Sequence, residues 1–346
     1  MAVEKAYLMI TTGCNIGCRY CIVRKTGEHM KTDTMRKAVD LVLSSEGARK
    51  KIAIYGGEPL TRIPFVKKIV NYVRGKKSHC GKYVEMFIYT NGYLLDDSIL
   101  KYFLKNQLKI VFSLDVVHVL KSAWSKKQKH LYRLPQRLVN ARRTLDLLGP
   151  SGVCVAPVIL PDETGFLLPV FTYLTESSGF STVKILPGLV RYRWEKAELE
   201  KFSDELEKLK SFIIKNIAAG NYVYLDSVNE ALSRTLTNYN EKSRQLSVLE
   251  FYPDGRFGLS PCEFEAQDNL ENVNDIDSFI LGDVGMIDNE NELWEKCVTI
   301  QKQPRHSALF LFSLWSERFA RELHETAKID MRTARYIEKA ANLSFA

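Results

Sequence analysis

Long apolar runs are missing from this chain. In 346 residues none reaches the roughly 20 apolar positions that span a bilayer, so no membrane partner is expected. The N-terminus also lacks the layout of a secretion signal. The greasiest stretch, ALFLFSLW at 308–315, is closely bracketed by Arg305, Glu317 and Arg318, which reads as a buried helix. Cysteine is scarce and scattered: seven residues, a pattern unlike a secreted disulfide framework, which points to the reducing cytoplasm. Internal repeats and low-complexity segments are absent. With 45% hydrophobic and 11% aromatic residues, the composition is ordinary for a folded protein and disorder is not expected. The net charge of +8 is moderate, and a nucleic-acid partner is not expected. Part of that charge lies in KSAWSKKQKHLYR, residues 121–133, which fits a solvated face or a contact for an acidic peptide or phosphate.

What is present is an alternation of short β-rich runs and amphipathic helical patterns. Residues 6–11 read as a strand. Met35, Ala38, Val39, Val42 and Leu43 then mark a helix at about 33–46, with Thr32 or Asp33 as its N-cap. KIAIYGG is a second strand, and a helix follows from near Pro64. The alternation continues through strand VEMFIYT, a helix from about Asp96, strand LKIVFSLD, a helix at about 135–148, strand GVCVAPVIL, a helix near 165–175 and strand TVKILP. Six strands with five helical crossovers imply parallel pairing with helices outside. Six units do not close an eight-stranded barrel, so the expected fold is α/β, a partial (β/α)6 TIM-type barrel over residues 1–190. Beyond 190 the pattern changes. A long amphipathic helix carries Leu199, Phe202, Leu206, Leu209 and Ile213 and ends at Gly220; Pro253-Asp254-Gly255 then turns a β-hairpin, and the tail from about 290 is helical. Residues 191–346 are expected to form a C-terminal α+β extension.

The chemistry gathers in GCNIGCRYC, residues 13–21, directly after the first strand. In parallel α/β folds reactive groups collect at the C-terminal ends of strands, so Cys14, Cys18 and Cys21 fall on that face. Thiolates this close repel one another unless a metal neutralises them. A structural zinc site would need four ligands, commonly in two pairs. A closed electron-transfer [4Fe–4S] cluster would also need four cysteines. Cys80, Cys154, Cys262 and Cys297 are singletons; Cys80 falls in a loop and Cys154 in a core strand, both structural positions. Three ligands leave one iron open, and that missing ligand argues for chemistry at the cluster.

CNIGCRYC resembles the cluster motif of the radical S-adenosylmethionine (SAM) superfamily. The resemblance extends to YGGEPL at 55–60, YTNG at 89–92 and SLD at 113–115, each at a successive strand end and in the same order. It covers about residues 5–190. It implies that Cys14, Cys18 and Cys21 bind three irons of a [4Fe–4S] cluster while SAM chelates the fourth. It implies further that Gly56 and Gly57 admit a close backbone approach to the methionine end of SAM, and that Glu58 partners its ammonium group. Ser113 and Asp115 would bond the ribose hydroxyls or the carboxylate, and Tyr20 would lie against the adenine. Asn91 fits a turn residue as well as a ligand contact. The GxIxGxxE pattern that some members carry near strand five is absent, and VAPVILPDE matches it only in part. The implied reaction is one-electron cleavage of SAM to methionine and a 5′-deoxyadenosyl radical, which abstracts a hydrogen atom. A flavodoxin- or ferredoxin-type reductant would supply the electron.

YPDGRFGLSPCEF followed by FILGDVG resembles the SPASM and twitch extensions of radical SAM enzymes that mature peptides and proteins. Only Cys297 follows Cys262, so a degenerate extension without an auxiliary cluster is expected. Cys262 itself fits three roles: a small buried hydrophobe, a residual cluster ligand, or a hydrogen-atom donor that quenches a substrate radical. The extension favours a peptide substrate, such as a natural-product precursor undergoing epimerisation or crosslinking. Against that, strand one begins at the N-terminus, leaving no room for a leader-peptide-binding domain. The alternatives are a small-molecule substrate (a sugar, nucleoside or amino acid) and a zinc or iron–sulfur binding module without enzymatic activity.

Overall fold

A computed structural model describes residues 3–117, 120–121, 136–188, 194–236, 248–259, 280–284, 308–341 and 343. The chain divides into two compact units. The first comprises residues 1–90, 94–110 and 240–305, and the second 91–93, 111–239 and 306–346. Along the chain the elements are β1 (Lys5–Thr11), α1 (Thr32–Ser44), β2 (Arg49–Gly56), α2 (Ile63–Cys80), β3 (Tyr83–Thr90), α3 (Asp97–Asn106) and β4 (Lys109–Ser113). Next come α4 (Gln136–Leu148), β5 (Val153–Ala156), β6 (Val158–Ile159), α5 (Leu167–Thr172), β7 (Thr182–Val183) and β8 (Leu186–Pro187). The remainder holds α6 (Lys196–Ala219), β9 (Tyr224–Leu225), α7 (Asp226–Leu236), β10 (Val248–Phe251), β11 (Arg256–Leu259), β12 (Ile280–Asp283), α8 (Ala308–Ala327) and α9 (Met331–Ala341). The class is α/β with mostly parallel strands, as the alternation of patterns predicts.

In the first unit the strand order is β12-β11-β10-β1-β2-β3. β10, β1, β2 and β3 are parallel, and β10, β11 and β12 pair antiparallel. The expected hairpin around Pro253-Asp254-Gly255 is therefore present as β10–β11, and β10 lies alongside β1. Register separates two faces with different chemistry. One carries Ala6 and Leu8 beside Ile52 and Ile54, which in turn face Met86 and Ile88; all are buried. The other carries Lys5, Tyr7 and Met9 beside Lys51, Ala53 and Tyr55, followed by Glu85 and Phe87. Helix α1 buries the expected stripe Met35, Ala38, Val39, Val42 and Leu43. Its N-cap is Lys31, without a side-chain cap, rather than Thr32 or Asp33. The Thr32 hydroxyl accepts from Lys68 Nζ instead, at 3.3 Å. α3 starts as expected, with the Asp96 carboxylate accepting from Ile99 N–H at 2.8 Å.

In the second unit β7 lies between β5 and β9, all parallel, with Val155 facing Val183 and Val183 facing Leu225. The expected strand GVCVAPVIL is broken at Pro157, which has no N–H to donate to a ladder. TVKILP is broken likewise, and its second half, β8, pairs with β6 in a separate two-stranded sheet. The six expected strands thus keep their order, but the fifth and sixth are each split. α6 has a capping box between Glu195 and Glu198 and stops at Gly220, whose φ of 80° suits glycine. Residues 308–315 begin α8, which buries Phe312 and Trp315, as expected of a buried helix. Among the described residues no helix is long and apolar enough to cross a membrane. Cys80 closes α2 instead of lying in a loop. Residues 122–133 of the basic stretch lie outside the described residues, as do Cys262 and Cys297.

Candidate functional site

The site starts where β1 ends. Residues 10–13 and 26–30 lie side by side and close the base of the intervening loop. Met30 N–H donates to Ile10 O, and Thr12 N–H to Glu28 O, each at 3.0 Å. Side chains tighten the same base: Thr12 Oγ1 accepts from Glu28 N–H at 2.8 Å and lies 2.9 Å from Thr26 Oγ1. Thr11 Oγ1 lies 2.9 Å from His29 Nδ1. The three cysteines project from this stapled loop, all free and half-buried. Across the loop, Lys25 Nζ donates to Ile16 O, and Cys21 N–H donates to Cys18 O at 3.3 Å. Tyr20 is half-buried between them.

Cys21 and Ile22 pack on a cluster of Met9, Val23 and Tyr252, together with Tyr55. Burial raises the Cys21 thiol above its ordinary pKa of 9.0. A backbone hydrogen bond at Val23 and the charge of Lys25 pull the other way, while Cys18 and Cys14 add to the rise. Such a thiol stays protonated at neutral pH until a cation displaces the proton.

The GGEP segment is built into the same base. Gly57 N–H donates to Thr11 O at 2.8 Å and Glu58 N–H to Gly13 O at 2.9 Å. A Cβ on Gly57 would fall 2.1 Å from Gly13 O, and one on Gly56 2.2 Å from Thr11 O; Gly56 also has φ 138°. The two glycines therefore let the backbone of β2 touch the backbone that carries Cys14. Glu58 is fully buried. Its Oε1 accepts from Leu60 N–H at 2.9 Å and from Thr90 Oγ1–H at 2.8 Å, so the carboxylate is fixed from two sides.

The remaining expected site residues belong to the second unit. Asn91 is buried, and its Oδ1 accepts from Tyr93 N–H at 3.0 Å, the geometry of an Asx-type turn. Ser113 and Asp115 are half-buried at and just beyond the end of β4. Arg137 on α4 joins these segments, a residue no local sequence pattern marks. Its Nε donates to Asn91 O at 2.7 Å and its Nη2 to Ser113 O. Asn140, one turn on, donates to Gly92 O at 2.8 Å. The first unit thus brings together Cys14, Cys18, Cys21, Tyr20, Gly56, Gly57 and Glu58, and the second Asn91, Ser113 and Asp115.

Among the described residues no three His, Cys, Asp or Glu side chains converge on the space of one metal ion. The donor set suits a larger, thiophilic group: three free thiols on one rooted loop with no fourth protein ligand supplied by that loop.

Comparison with known proteins agrees with this donor set. Residues 8–164 match the model of the Radical SAM superfamily. A 113-residue segment is 30% identical to an uncharacterized protein of Methanocaldococcus jannaschii, covering 32% of this chain and 38% of that one. A 114-residue segment is 26% identical to the cysteine-type anaerobic sulfatase-maturating enzyme of Clostridium perfringens, covering 30% of each. The matched segments thus span 38% and 30% of these curated relatives. Among solved structures, anSMEcpe with bound AdoMet shares the fold at a TM-score of 0.68 and 18% identity, covering 97% of this chain and 98% of that one. The same enzyme with AdoMet and the Kp18Cys peptide aligns at a TM-score of 0.63 and 21% identity, covering 86% and 82%. The three cysteines after β1 and the GGEP loop bonded to their root both lie within residues 8–164, the segment that matches the Radical SAM superfamily model.

Proposed function

We propose that this protein is a radical SAM enzyme acting on a peptide. Cys14, Cys18 and Cys21 would hold a [4Fe–4S] cluster, with SAM beside it. When bound, the cluster and SAM would supply radical hydrogen-abstraction chemistry. The chain's own part is to hold, orient and shield. The stapled base at Thr11–Gly13 and Thr26–Met30 fixes the cysteine loop, and the packing of Cys21 and Ile22 on Met9, Val23 and Tyr252 keeps water from one side of it. Glu58, oriented by Leu60 and Thr90, offers a fixed anionic partner to the ammonium group of SAM. Tyr20 supplies a ring for the adenine. Gly56 and Gly57 keep the GGEP backbone close to the cluster loop. Asn91, Ser113 and Asp115 contribute contacts to the ribose and carboxylate, with Arg137 fixing the turn and strand end that carry them.

The observation that carries this reading is the backbone bonding of GGEP to the root of the cysteine loop, Gly57 to Thr11 and Glu58 to Gly13. It joins two separate motifs into one site. A peptide is favoured as substrate because relatives in sequence and fold include sulfatase-maturating enzymes, one of them seen with a peptide. The electron would come from a flavodoxin- or ferredoxin-type protein in the reducing cytoplasm, where free thiols persist. Cys262 remains a candidate hydrogen-atom donor in this scheme.

The test is anaerobic reconstitution with iron and sulfide, reduction, and incubation with SAM. The expected result is release of 5′-deoxyadenosine and methionine, with deuterium carried into 5′-deoxyadenosine from a deuterated peptide substrate. A protein that takes up iron yet never cleaves SAM would refute the proposed activity.

A further inference from the structure

The face of β1–β3 that bears Tyr7 is not an ordinary protein interior. The opposite face is apolar apart from the buried Lys50 at its start, whereas here the register places Lys5 beside Lys51 and Lys51 beside Glu85 at one end. The charges are met locally: Lys109 Nζ lies 2.7 Å from Glu85 Oε1, and Lys5 Nζ sits 4.5 Å from the centre of the Tyr7 ring. Towards the C-terminal ends the face becomes aromatic. Tyr7 meets Tyr55 edge-on, with ring centres 5.6 Å apart, and Tyr89 at 6.0 Å. The hydroxyls of Tyr55 and Tyr89 are both buried and have no hydrogen-bond partner among the described residues. A buried hydroxyl left unpaired costs free energy, and two on neighbouring strands beside one shared ring are a repeated cost. Phenylalanine would fill the same space without it. Tyr55 immediately precedes the GGEP glycines and packs, like Cys21, on the Met9–Val23–Tyr252 cluster.

We propose that Tyr55 and Tyr89 form a substrate subsite on the Tyr7-bearing face of β1–β3, where their two hydroxyls take up one backbone amide of a peptide. This rests on the radical SAM reading above and deepens it by naming the group recognised. An amide offers an acceptor oxygen and a donor N–H, and two phenols can each give or take a hydrogen bond. The amide is also flat and neutral, which suits a cluster of tyrosine rings whose nearby charges already have partners. Anchored here, a peptide backbone lies beside the loop that carries Cys21. The unpaired hydroxyls thus trade stability in the free protein for affinity in the complex.

The experiment uses the cluster-loaded full chain with SAM bound and two probes: the blocked tripeptide Ac-Gly-Cys-Gly-NH2 and methyl glucoside. Binding is measured by ligand-observed NMR for the wild type, Tyr55→Phe, Tyr89→Phe and the double variant, alongside SAM affinity and thermal midpoints. The tripeptide should bind the wild type, weaken about threefold to tenfold in each single variant, and weaken further in the double variant. SAM affinity should hold, and the thermal midpoints should rise or stay level. Four results would overturn the proposal: no tripeptide binding to the wild type, unchanged tripeptide binding in both variants, loss of SAM affinity in its place, or preferential binding of the glucoside. Lowered midpoints with unchanged binding would show the hydroxyls to be held by ordered water, which also refutes it. Failure of the underlying reading looks different, because the wild type would then bind no SAM.

Discussion

Four of the described cysteines stand in two contrasting settings. Cys14, Cys18 and Cys21 stand half-buried on a loop, rooted by backbone bonds and threonine side chains. Cys154 sits fully buried in β5, where burial raises its thiol well above the ordinary value and Asp226 adds to the rise. Burial disfavours a bare thiolate at Cys21 and at Cys154 alike. Around Cys154 burial outweighs the nearby Lys184 charge, which pulls the thiol the other way. Around the trio the protein leaves the sulfurs reachable and invests its order in the loop's base. Reactive and inert cysteines differ here in access and in the rigidity of their support.

The harshest way to break that contrast is to wedge the base apart. Gly57→Ala puts a methyl group 2.1 Å from Gly13 O, where backbone faces backbone. The loop root must shift, at a cost of at least the roughly 1–3 kcal/mol of an overpacked core. Thermal midpoint and iron uptake should fall together. A variant with wild-type values of both would show that the GGEP backbone does not support the loop.

Next in size is Glu58→Gln, which keeps an acceptor oxygen for Leu60 and Thr90 but removes the charge. Loss of a charge-assisted bond to SAM, worth roughly 1.5–3 kcal/mol, should weaken SAM binding by about tenfold to a hundredfold. Calorimetric titration of the loaded protein decides this. Unchanged affinity would leave Glu58 a purely structural cap.

A smaller effect separates the two settings by pH. In iron-free protein, iodoacetamide should label Cys21 slowly at pH 8 and faster as pH climbs past its raised pKa, while Cys154 stays unlabelled until unfolding. The sign for stability follows. The folded chain keeps these protons while the unfolded chain loses them near 9.0, so folding stability should fall above that pH. Mass spectrometry of the labelled peptides reads the order, and equal labelling of both sites would abolish the distinction. Smallest of all, Cys154→Ala should cost about 1 kcal/mol as a packing defect and leave iron content unchanged.

Much of this was legible in the sequence because the signals are local. The strands β1–β4 announce themselves as apolar runs, α1 by a stripe at helical spacing, and α3 by its Asp96 cap. The site motifs are contiguous strings at strand ends. What was missed depends on residues distant in sequence. The Thr12–Thr26 and Thr11–His29 staples link ordinary polar residues across the loop. Arg137 reaches back 46 residues to Asn91. Thr32 did not cap α1, because its hydroxyl serves Lys68 from the next helix. Pro157 was visible and should have split the fifth strand. Tyr55 and Tyr89 were visible too, alternating with Ile54 and Ile88, yet a strand with both faces covered reads as one apolar run. Only register revealed that one face is aromatic and polar.

The account stands or falls on the cysteine loop holding a [4Fe–4S] cluster, and iron counting with electron paramagnetic resonance tests it most directly. The reconstituted, reduced wild type should hold about four irons per chain and show a cluster signal that changes when SAM is added. The variant with Cys14, Cys18 and Cys21 all replaced by alanine should hold none and show no signal. Four irons retained in that variant would contradict the central claim.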